Sequence, residues 1–258
     1  MPAASPVLLS LDTATDRIHA ALSQGGEVRV RDLPGGAQAS STLLPTLGAL
    51  LGEAGITWQD LDAIAFGRGP GAFTGLRTAC SIAQGLALAL ALPVIALDTL
   101  MAVAEDARQA APDAIAPGDI LWVLQDARMD ELYVSAFQWL GDRWQVAQAA
   151  RLWPLADVAQ AWHARTPAGP GGRWAGNAAQ AYPQALAGLP APCAGTTEAS
   201  PCAMPVGRAL AALAQSAWQR QDTLDAALAL PTYVRDKVAL TTAERAAATA
   251  MKDNGQPA

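Results

Sequence analysis

The stretch Gly67-Arg68-Gly69-Pro70-Gly71-Ala72-Phe73-Thr74-Gly75-Leu76-Arg77-Thr78 joins two apolar segments of the chain. Residues 63–66 before it are typical of a short buried strand, and residues 74–92 predict a long helix. Glycines at the start of a helix can bind an anion through backbone N–H groups. A phosphate-binding P-loop, however, needs a lysine that this stretch lacks, and Pro70 removes one N–H donor. We therefore favour a tightly turned structural loop with Thr74 near the helix N-cap, and keep anion binding as the alternative.

The segments around this loop give the first half of the chain the order β-β-β-α-β-α-β-α. Short apolar runs bounded by turn residues predict strands, and Gln24-Gly25-Gly26 predicts a hairpin turn. The predicted strands are 7–11, 17–22, 27–33, 63–66 and 94–97, and the predicted helices are 40–52, 74–92 and 99–108.

The pattern restarts after a linker at residues 112–118. The predicted elements are strands 120–124, 131–139 and 144–149, helix 154–163, a Gly/Pro loop at 167–173, and helices 177–186 and 206–220. Each half therefore opens with three strands and then a helix, a weak internal repeat. We expect a first half at 1–111 that carries the partner-binding helices, a second half at 112–239 and a frayed tail at 240–258.

Composition narrows the class of protein. The 258 residues are 52% hydrophobic and 16% charged, with 17 basic and 23 acidic side chains and a net charge of −6. A stand-alone nucleic-acid binder would show a basic surface, so this class is disfavoured. Three cysteines without a CxxC pair and only two histidines leave a zinc site almost no ligands, and they fit a reduced, cytoplasmic compartment. The N-terminal residues lack the features of a signal peptide.

One charge-free run raises the question of whether the chain spans a membrane. The 20 residues between Arg77 and Asp98 carry no charge, which is long enough to span a bilayer. Pro93 interrupts this run, and an apolar strand restarting after a proline is the usual pattern of a buried α/β segment. We expect no membrane association.

The first predicted strand ends in the turn Asp12-Thr13-Ala14-Thr15. In a nucleotide site such an aspartate holds a metal-bound water, and the N–H groups of the turn face phosphate oxygens. Such turns favour glycine because the ligand approaches closely, and here the position is Ala14. We interpret Asp12 mainly as a cap of its turn, and Asp12, Thr13 and Thr15 as a vestigial phosphate-type turn.

Side chains suited to catalysis are scarce. A nucleophilic triad would have to use His19 or His163, and neither lies in a nucleophile motif. We interpret both as core-edge or surface histidines. Arg68, Arg77 and Arg128 stand beside glycine loops or turns, where arginines either contact an anionic partner or bond to carbonyl groups. We expect no catalytic residue, metal or cofactor.

Two helices lack a solvated face. Applying about 100° per residue to 42–53 places Leu43, Leu44, Leu47, Leu50 and Leu51 in one apolar stripe that can pack on a sheet. The opposite face carries only small or apolar residues, and the helix at 74–92 has no charge beyond Arg77. Such faces imply a cover, either a partner chain, a second copy or the other half of this protein. The predicted interface residues are Pro45, Gly48, Ala49, Gly52, Arg77, Ile82 and Leu86.

The sequence resembles the TsaB family in four motifs. They are 67–77 with Ala83-Gln84-Gly85-Leu86-Ala87 after it, Leu11-Asp12-Thr13-Ala14-Thr15, Asp126-Ala127-Arg128-Met129-Asp130-Glu131-Leu132-Tyr133, and Pro231-Thr232-Tyr233-Val234-Arg235. The third is similar to a DAR-x-x-E-x-Y segment and the fourth to a P-x-Y-x-R tail. The match runs in order over most of 7–235 and is patchy between 139 and 230. This chain has Ala39 where family members often have a histidine, so a role for that histidine does not carry over.

The resemblance implies an α/β, actin-like ATPase fold built from two ribonuclease-H-like halves of βββαβα type. It also implies a role in making threonylcarbamoyladenosine beside the anticodon of tRNA, as a non-catalytic subunit. The partners implied are a TsaD-like paralogue that carries the metal and transfers the threonylcarbamoyl group, and a TsaE-like P-loop ATPase, with tRNA reached only through the complex.

Two other classes and a second copy remain open. The first class is an active kinase or ATPase of the actin-like group, and the second is a metallopeptidase, which needs paired histidines that this chain lacks. A homodimer of the isolated chain is also open.

Overall fold

A computed structural model describes residues 5–36, 39–165, 172–196 and 202–235. Its first sheet has five strands in the order β3-β2-β1-β4-β5. The strands are β1 (Leu8–Asp12), β2 (Arg17–Gln24), β3 (Glu27–Pro34), β4 (Ala63–Gly67) and β5 (Val94–Leu97). β1 pairs antiparallel with β2 and β2 with β3, whereas β4 runs parallel to β1 and to β5.

The second sheet repeats this plan with one strand fewer, in the order β8-β7-β6-β9. Its strands are β6 (Ile120–Asp126), β7 (Glu131–Trp139), β8 (Trp144–Pro154) and β9 (Arg173–Ala175). β6 again pairs antiparallel with the next strand and parallel with β9. The weak repeat of the sequence is therefore a real repeat of topology, and the two ribonuclease-H-like halves form the predicted actin-like fold.

Six α-helices complete the described chain in layers around the two sheets. They are α1 (Ala39–Ala54), α2 (Phe73–Leu90), α3 (Thr99–Ala110), α4 (Val158–Arg165), α5 (Ala178–Ala181) and α6 (Gly207–Gln219). α1 and α2 pack on one face of the first sheet. α3 and α6 lie between the two sheets, and α4 and α5 cover the far face of the second sheet.

The helix α6 holds the two halves together, because it follows the second sheet in sequence yet packs on the first. Its first residue, Gly207, lies so close to β2 that a Cβ there would be 2.6 Å from the carbonyl oxygen of Ala20. The chain that leads into α6 is held by the buried carboxylate of Asp106 on α3. This carboxylate accepts hydrogen bonds from Thr196 and from the backbone N–H of Met204. Burial raises the pKa of Asp106.

Most predicted elements occur within a few residues of their predicted bounds, and two predictions in the second half are wrong. The helix predicted over 177–186 is only Ala178–Ala181, because Pro183 disfavours helical backbone at Tyr182 before it. The predicted loop at 167–173 gives way at Arg173 to β9, a strand too short to show any periodicity. The predicted tail at 240–258 lies outside the described residues.

α2 begins at Phe73 with Ala72 as its N-cap, so Thr74 lies in the first turn, near the N-cap as predicted. One local prediction in the first half is wrong. Leu44 is 44% exposed and does not belong to the buried stripe of α1. Within the part of the chain that the structure describes, no helix combines the length and apolarity needed to cross a membrane.

Candidate docking face and interdomain cleft

The turn after β1 is covered by other residues of the same chain, which also hydrogen-bond to its aspartate. Asp12 is fully buried, and its Oδ1 accepts a hydrogen bond of 2.6 Å from the backbone N–H of Ala14. Its Oδ2 accepts a bond of 2.7 Å from the hydroxyl of Thr99. Burial raises the pKa of Asp12 to about 6, although both hydrogen bonds act to lower it. Both carboxylate oxygens are therefore engaged inside the protein.

The glycine loop of residues 67–75 seats directly on this turn. A Cβ on Gly67 would overlap the carboxylate of Asp12, and a Cβ on Gly75 would overlap the carbonyl oxygen of Thr13. The hydroxyl of Thr13 donates a bond of 2.6 Å to the carbonyl of Gly75. These glycines thus have a packing role, since only a chain without Cβ atoms fits against the turn.

The three residues of the predicted phosphate-type turn have different surroundings. Asp12 and Thr13 are buried beneath the glycine loop, whereas Thr15 lines the cleft between the two halves. Thr99, which completes the bonding of Asp12, was not predicted. A usable signal exists, because Thr99 follows β5 and therefore lies at the same sheet edge as Asp12 at the end of β1.

The C-terminal strap, residues 231–235, crosses from the first half to the second. The ring of Tyr233 packs on Phe73 at 5.1 Å between centroids, and its hydroxyl accepts a bond of 3.1 Å from Nε of Arg77. The guanidinium of Arg77 also lies 3.9 Å above the Phe73 ring. At the other end, Arg235 forms an ion pair with Glu131. The tail is recognisable in the sequence as a motif, whereas its contacts with Phe73, Arg77 and Glu131 depend on the folded chain.

Arg235 also holds the turn between β6 and β7. Arg128, Met129 and Asp130 have φ values of 62°, 55° and 56°, a left-handed run that non-glycine residues rarely adopt. The carboxylate of Asp126 accepts the N–H of Arg128 at 2.7 Å, and Arg235 donates to the carbonyl of Arg128 at 3.3 Å. The turn faces the cleft, and the Arg128 side chain is 77% exposed.

The two histidines lie in opposite environments. His163 is exposed on α4, whereas His19 on β2 is fully buried, deeper than the predicted core edge. Burial lowers the pKa of His19 to about 4. In the described part of the chain, no group of three or more Cys, His, Asp or Glu side chains is arranged to hold a metal ion.

The outer faces of α1 and α2 carry the residues that the sequence predicts to meet a partner, and this surface is called the docking face. On α1, Pro45, Ala49 and Gly52 are exposed, and Gly48 is partly covered, with Trp58 3.6 Å from the position of a Cβ. On α2 the exposed residues beyond Arg77 are Ser81, Gly85, Leu88 and Ala89. None of these residues carries a charge.

The other three predicted interface residues differ in burial and in contacts. Ile82 and Leu86 are half-buried and pack against the core of the first half. Arg77 is exposed near the start of α2 and is engaged with Phe73 and Tyr233.

Known protein families and sequences resemble this chain over part or most of its length. A family model described as "TsaD: tRNA N6-adenosine threonylcarbamoyltransferase" matches residues 36–253. The chain is 41% identical over 131 residues to the tRNA threonylcarbamoyladenosine biosynthesis protein TsaB of Haemophilus influenzae, which covers 50% of this chain and 52% of that protein. It is 37% identical over 133 residues to the Escherichia coli protein of the same name, covering 51% and 54%. The chain thus spans about half the length of the curated relatives it matches.

Solved structures give a longer match. YeaZ from Pseudomonas aeruginosa superposes with a TM-score of 0.70 at 31% identity, covering 88% of this chain and 99% of that chain. A second structure, described as an uncharacterized protein with similarity to peptidase YEAZ from Pseudomonas aeruginosa, gives 0.71 at 31% identity and covers 89% and 100%. Taken together, the family model, the sequence relatives and the YeaZ structures show that this chain belongs to the TsaB (YeaZ) proteins of the tRNA N6-adenosine threonylcarbamoyltransferase family.

Proposed function

We propose that this chain is a non-catalytic subunit in the biosynthesis of threonylcarbamoyladenosine in tRNA. It pairs through its docking face with a TsaD-type catalytic subunit, and a TsaE-type ATPase joins the pair in the cytoplasm. The names of its relatives supply the pathway, and the match to the TsaD model supports a partner of that type. The net charge of −6 supports contact with tRNA through the complex rather than through this chain alone.

The pairing rests mainly on two glycines that lie inside helices where the described residues of this chain leave room for a side chain. A Cβ built on Gly52 of α1 or on Gly85 of α2 meets no atom within 4 Å. Glycine inside a helix costs about 1 kcal/mol of stability relative to alanine. Because no described residue of this chain requires that loss, close approach of another backbone at these positions explains it.

The shape of the partner follows from the shared family model. We infer that a TsaD-type partner of the same family shares this fold and presents an equivalent helix pair on its own first sheet. Two such faces can pack as four helices around an approximate two-fold axis. A second copy of this chain offers the same geometry, so a homodimer competes with the TsaD-type pair when the partner is absent.

The closed turn at Asp12 supports a subunit without its own turnover. A kinase or ATPase of the actin-like group needs that carboxylate to face its ligand. Here both oxygens of Asp12 are bonded inside the protein, and the glycine loop occupies the space in front of Thr13. Hydrolysis of ATP then belongs to the TsaE-type partner.

Reconstitution tests this proposal. Purified TsaD-type and TsaE-type partners, tRNA, ATP and a threonylcarbamoyl donor are combined with and without this chain, and modified adenosine is measured by mass spectrometry. We expect modification only when this chain is present. Equal modification without it would show the proposal to be wrong, and micromolar ATP binding by the isolated chain with hydrolysis lost in Asp12→Asn would favour the kinase alternative.

A further inference from the structure

His19 is a buried polar side chain that makes no hydrogen bond with any residue in the described part of the chain. It lies directly opposite Asp12 on β1 and Asp32 on β3, so the three side chains share one face of the sheet. Its Nδ1 is 3.4 Å from the Asp32 carboxylate, and neither ring nitrogen forms a hydrogen bond with any described residue. Buried polar groups nearly always have a partner, so this ring calls for an explanation.

His19 is among the residues that line a cavity of about 350 Å³ in the cleft between the two halves. The first half contributes Asp16 and Arg17 beside His19, and the second half contributes Asp126, Arg128, Asn177 and Gln180. A second cavity of about 400 Å³ adjoins it and shares Asp16, Asp126, Arg128 and Asn177. Both walls of the cleft are therefore polar at this point.

The bonding of these groups shows which of them can meet a ligand. Arg17 is committed to Asp32 through a bond of 2.6 Å from its Nε. Oδ1 of Asp126 accepts the hydroxyl of Tyr182 at 2.8 Å, whereas its Oδ2 has only the loose contact of 3.5 Å with Arg128. The Asp16 carboxylate forms no ion pair with a described residue.

The donors are held only weakly. Among the described residues the guanidinium of Arg128 has no closer partner than Asp126, at 3.5 Å, and its side chain is mostly exposed. The amide nitrogen of Gln180 makes no hydrogen bond with a described residue, since its amide oxygen alone is used, by Cys202. The cavity thus presents the Asp16 carboxylate, the weakly paired side chains of Asp126 and Arg128, and the amide nitrogen of Gln180 side by side.

We propose that this cavity binds a small zwitterion with the chemistry of a free amino acid. The ammonium group lies between the carboxylates of Asp16 and Asp126 and donates to the His19 ring, and the carboxylate pairs with Arg128 and the amide of Gln180. A ligand of this size fits about 350 Å³. Three aspartates against two arginines on the walls disfavour a polyphosphate.

The protonation state of His19 agrees with this arrangement. Because burial lowers its pKa to about 4, the ring is neutral at pH 7 and one nitrogen carries a free lone pair. Such a nitrogen accepts a hydrogen bond from an ammonium group and cannot pair with a phosphate as a cation would.

Nuclear magnetic resonance of the full chain tests the site, since the sequence has only two histidines. With labelled histidine, the ring signals of His19 report the cavity and those of the exposed His163 serve as the internal control. The probes are glycine, alanine and serine, with N-trimethylglycine as the matched probe that keeps the carboxylate but has no N–H donor. Inorganic phosphate is the anion probe.

We expect at least one of the three amino acids to shift the His19 signals saturably, with His163 unmoved and N-trimethylglycine at least tenfold weaker. Arg128→Gln and Asp16→Asn should each weaken the binding at least tenfold, while Arg143→Gln, which alters an exposed arginine outside the cleft, should not. No His19 response to any amino acid, equal shifts of both histidines, a response to phosphate alone, or binding unchanged in folded Arg128→Gln and Asp16→Asn would each overturn the proposal.

Discussion

The hydroxyl of Thr99 donates a hydrogen bond of 2.7 Å to Oδ2 of Asp12, and the two residues lie 87 positions apart in the chain. This bond joins the carboxyl end of β1 to the start of α3. It satisfies a carboxylate that has no access to solvent, and it keeps that carboxylate out of the cleft. The consequences for stability can be measured.

Asp12 makes the stability of the protein depend on pH. Its pKa is about 6 in the folded protein, above the ordinary value of 3.8, so between about pH 4 and 6 the folded state binds a proton that the unfolded state does not. The free energy of unfolding therefore falls as pH rises through this window, by up to about 3 kcal/mol from this group. From pH 7.5 to 5.5 we expect the parent chain to gain about 1 kcal/mol more than Asp12→Asn does. Urea unfolding at both pH values measures it, with the exposed Asp113→Asn as control; an unchanged slope in Asp12→Asn would contradict the assignment.

Gly75→Ala tests the packing role of the glycine loop. Its Cβ would overlap the carbonyl oxygen of Thr13, so the loop or the turn must move. We expect a loss of about 3 kcal/mol or more in the free energy of unfolding, at the upper end of overpacked sites. Thermal and urea unfolding give the value. A variant as stable as the parent would show that the loop does not seat on the turn.

Gly85→Ala separates stability from pairing. A Cβ at this position meets nothing within 4 Å, and alanine favours the helix, so we expect the isolated chain to gain up to about 1 kcal/mol. If a partner backbone packs against Gly85, the same change should weaken association with the TsaD-type subunit. Binding is measured by calorimetry next to the melting temperature. A more stable chain with undiminished affinity would remove Gly85 from the interface.

Ala49→Arg tests the α1 side of the docking face. Ala49 is exposed, so the stability of the isolated chain should stay within about 0.5 kcal/mol of the parent. In a packed interface the arginine overfills the contact and buries a charge, which should cost several kcal/mol of association. The matched control is Ala147→Arg, an exposed alanine on β8 in the second half. Equal partner affinity for both variants would exclude this face.

Arg235→Gln tests the strap. Arg235 is only 13% exposed and pairs with Glu131 while bonding to the carbonyl of Arg128, so its loss should cost about 1–3 kcal/mol. Arg143→Gln removes an exposed pair with Asp142 and should cost less than about 1 kcal/mol. Combining Arg235→Gln with Glu131→Gln should cost less than the sum of the two single changes, because they share one interaction. Additive effects would show that the two residues act independently.

Much of the architecture could be predicted because local patterns carry it. The short apolar runs before Asp12 and before Asp126 identify the first strand of each half, and both are strands in the structure. The stripe at Leu43, Leu47 and Leu50 identifies the buried side of α1. The three-residue strand at Arg173–Ala175 could not be found, since a strand that short shows no alternation and is defined only by its pairing with β6.

The candidate sites were predicted unevenly. The exposed small residues of α1 follow from helical geometry alone, so Ala49 and Gly52 could be assigned to the outer face. The cavity at His19 could not be predicted, because its walls come from turns more than 100 residues apart.

The sequence by itself determined the order of the longer strands and helices and the charge-free faces, because those depend on the spacing of side chains along a regular backbone. It also determined the family, through motifs that are contiguous in the chain. Only the tertiary structure decided that Thr99 closes Asp12, that Gly75 seats on Thr13, and that Tyr233 reaches Arg77 from 156 positions away. Such contacts are set by how the layers stack, and in the folded chain they determine which polar groups are sealed inside and which face the cleft.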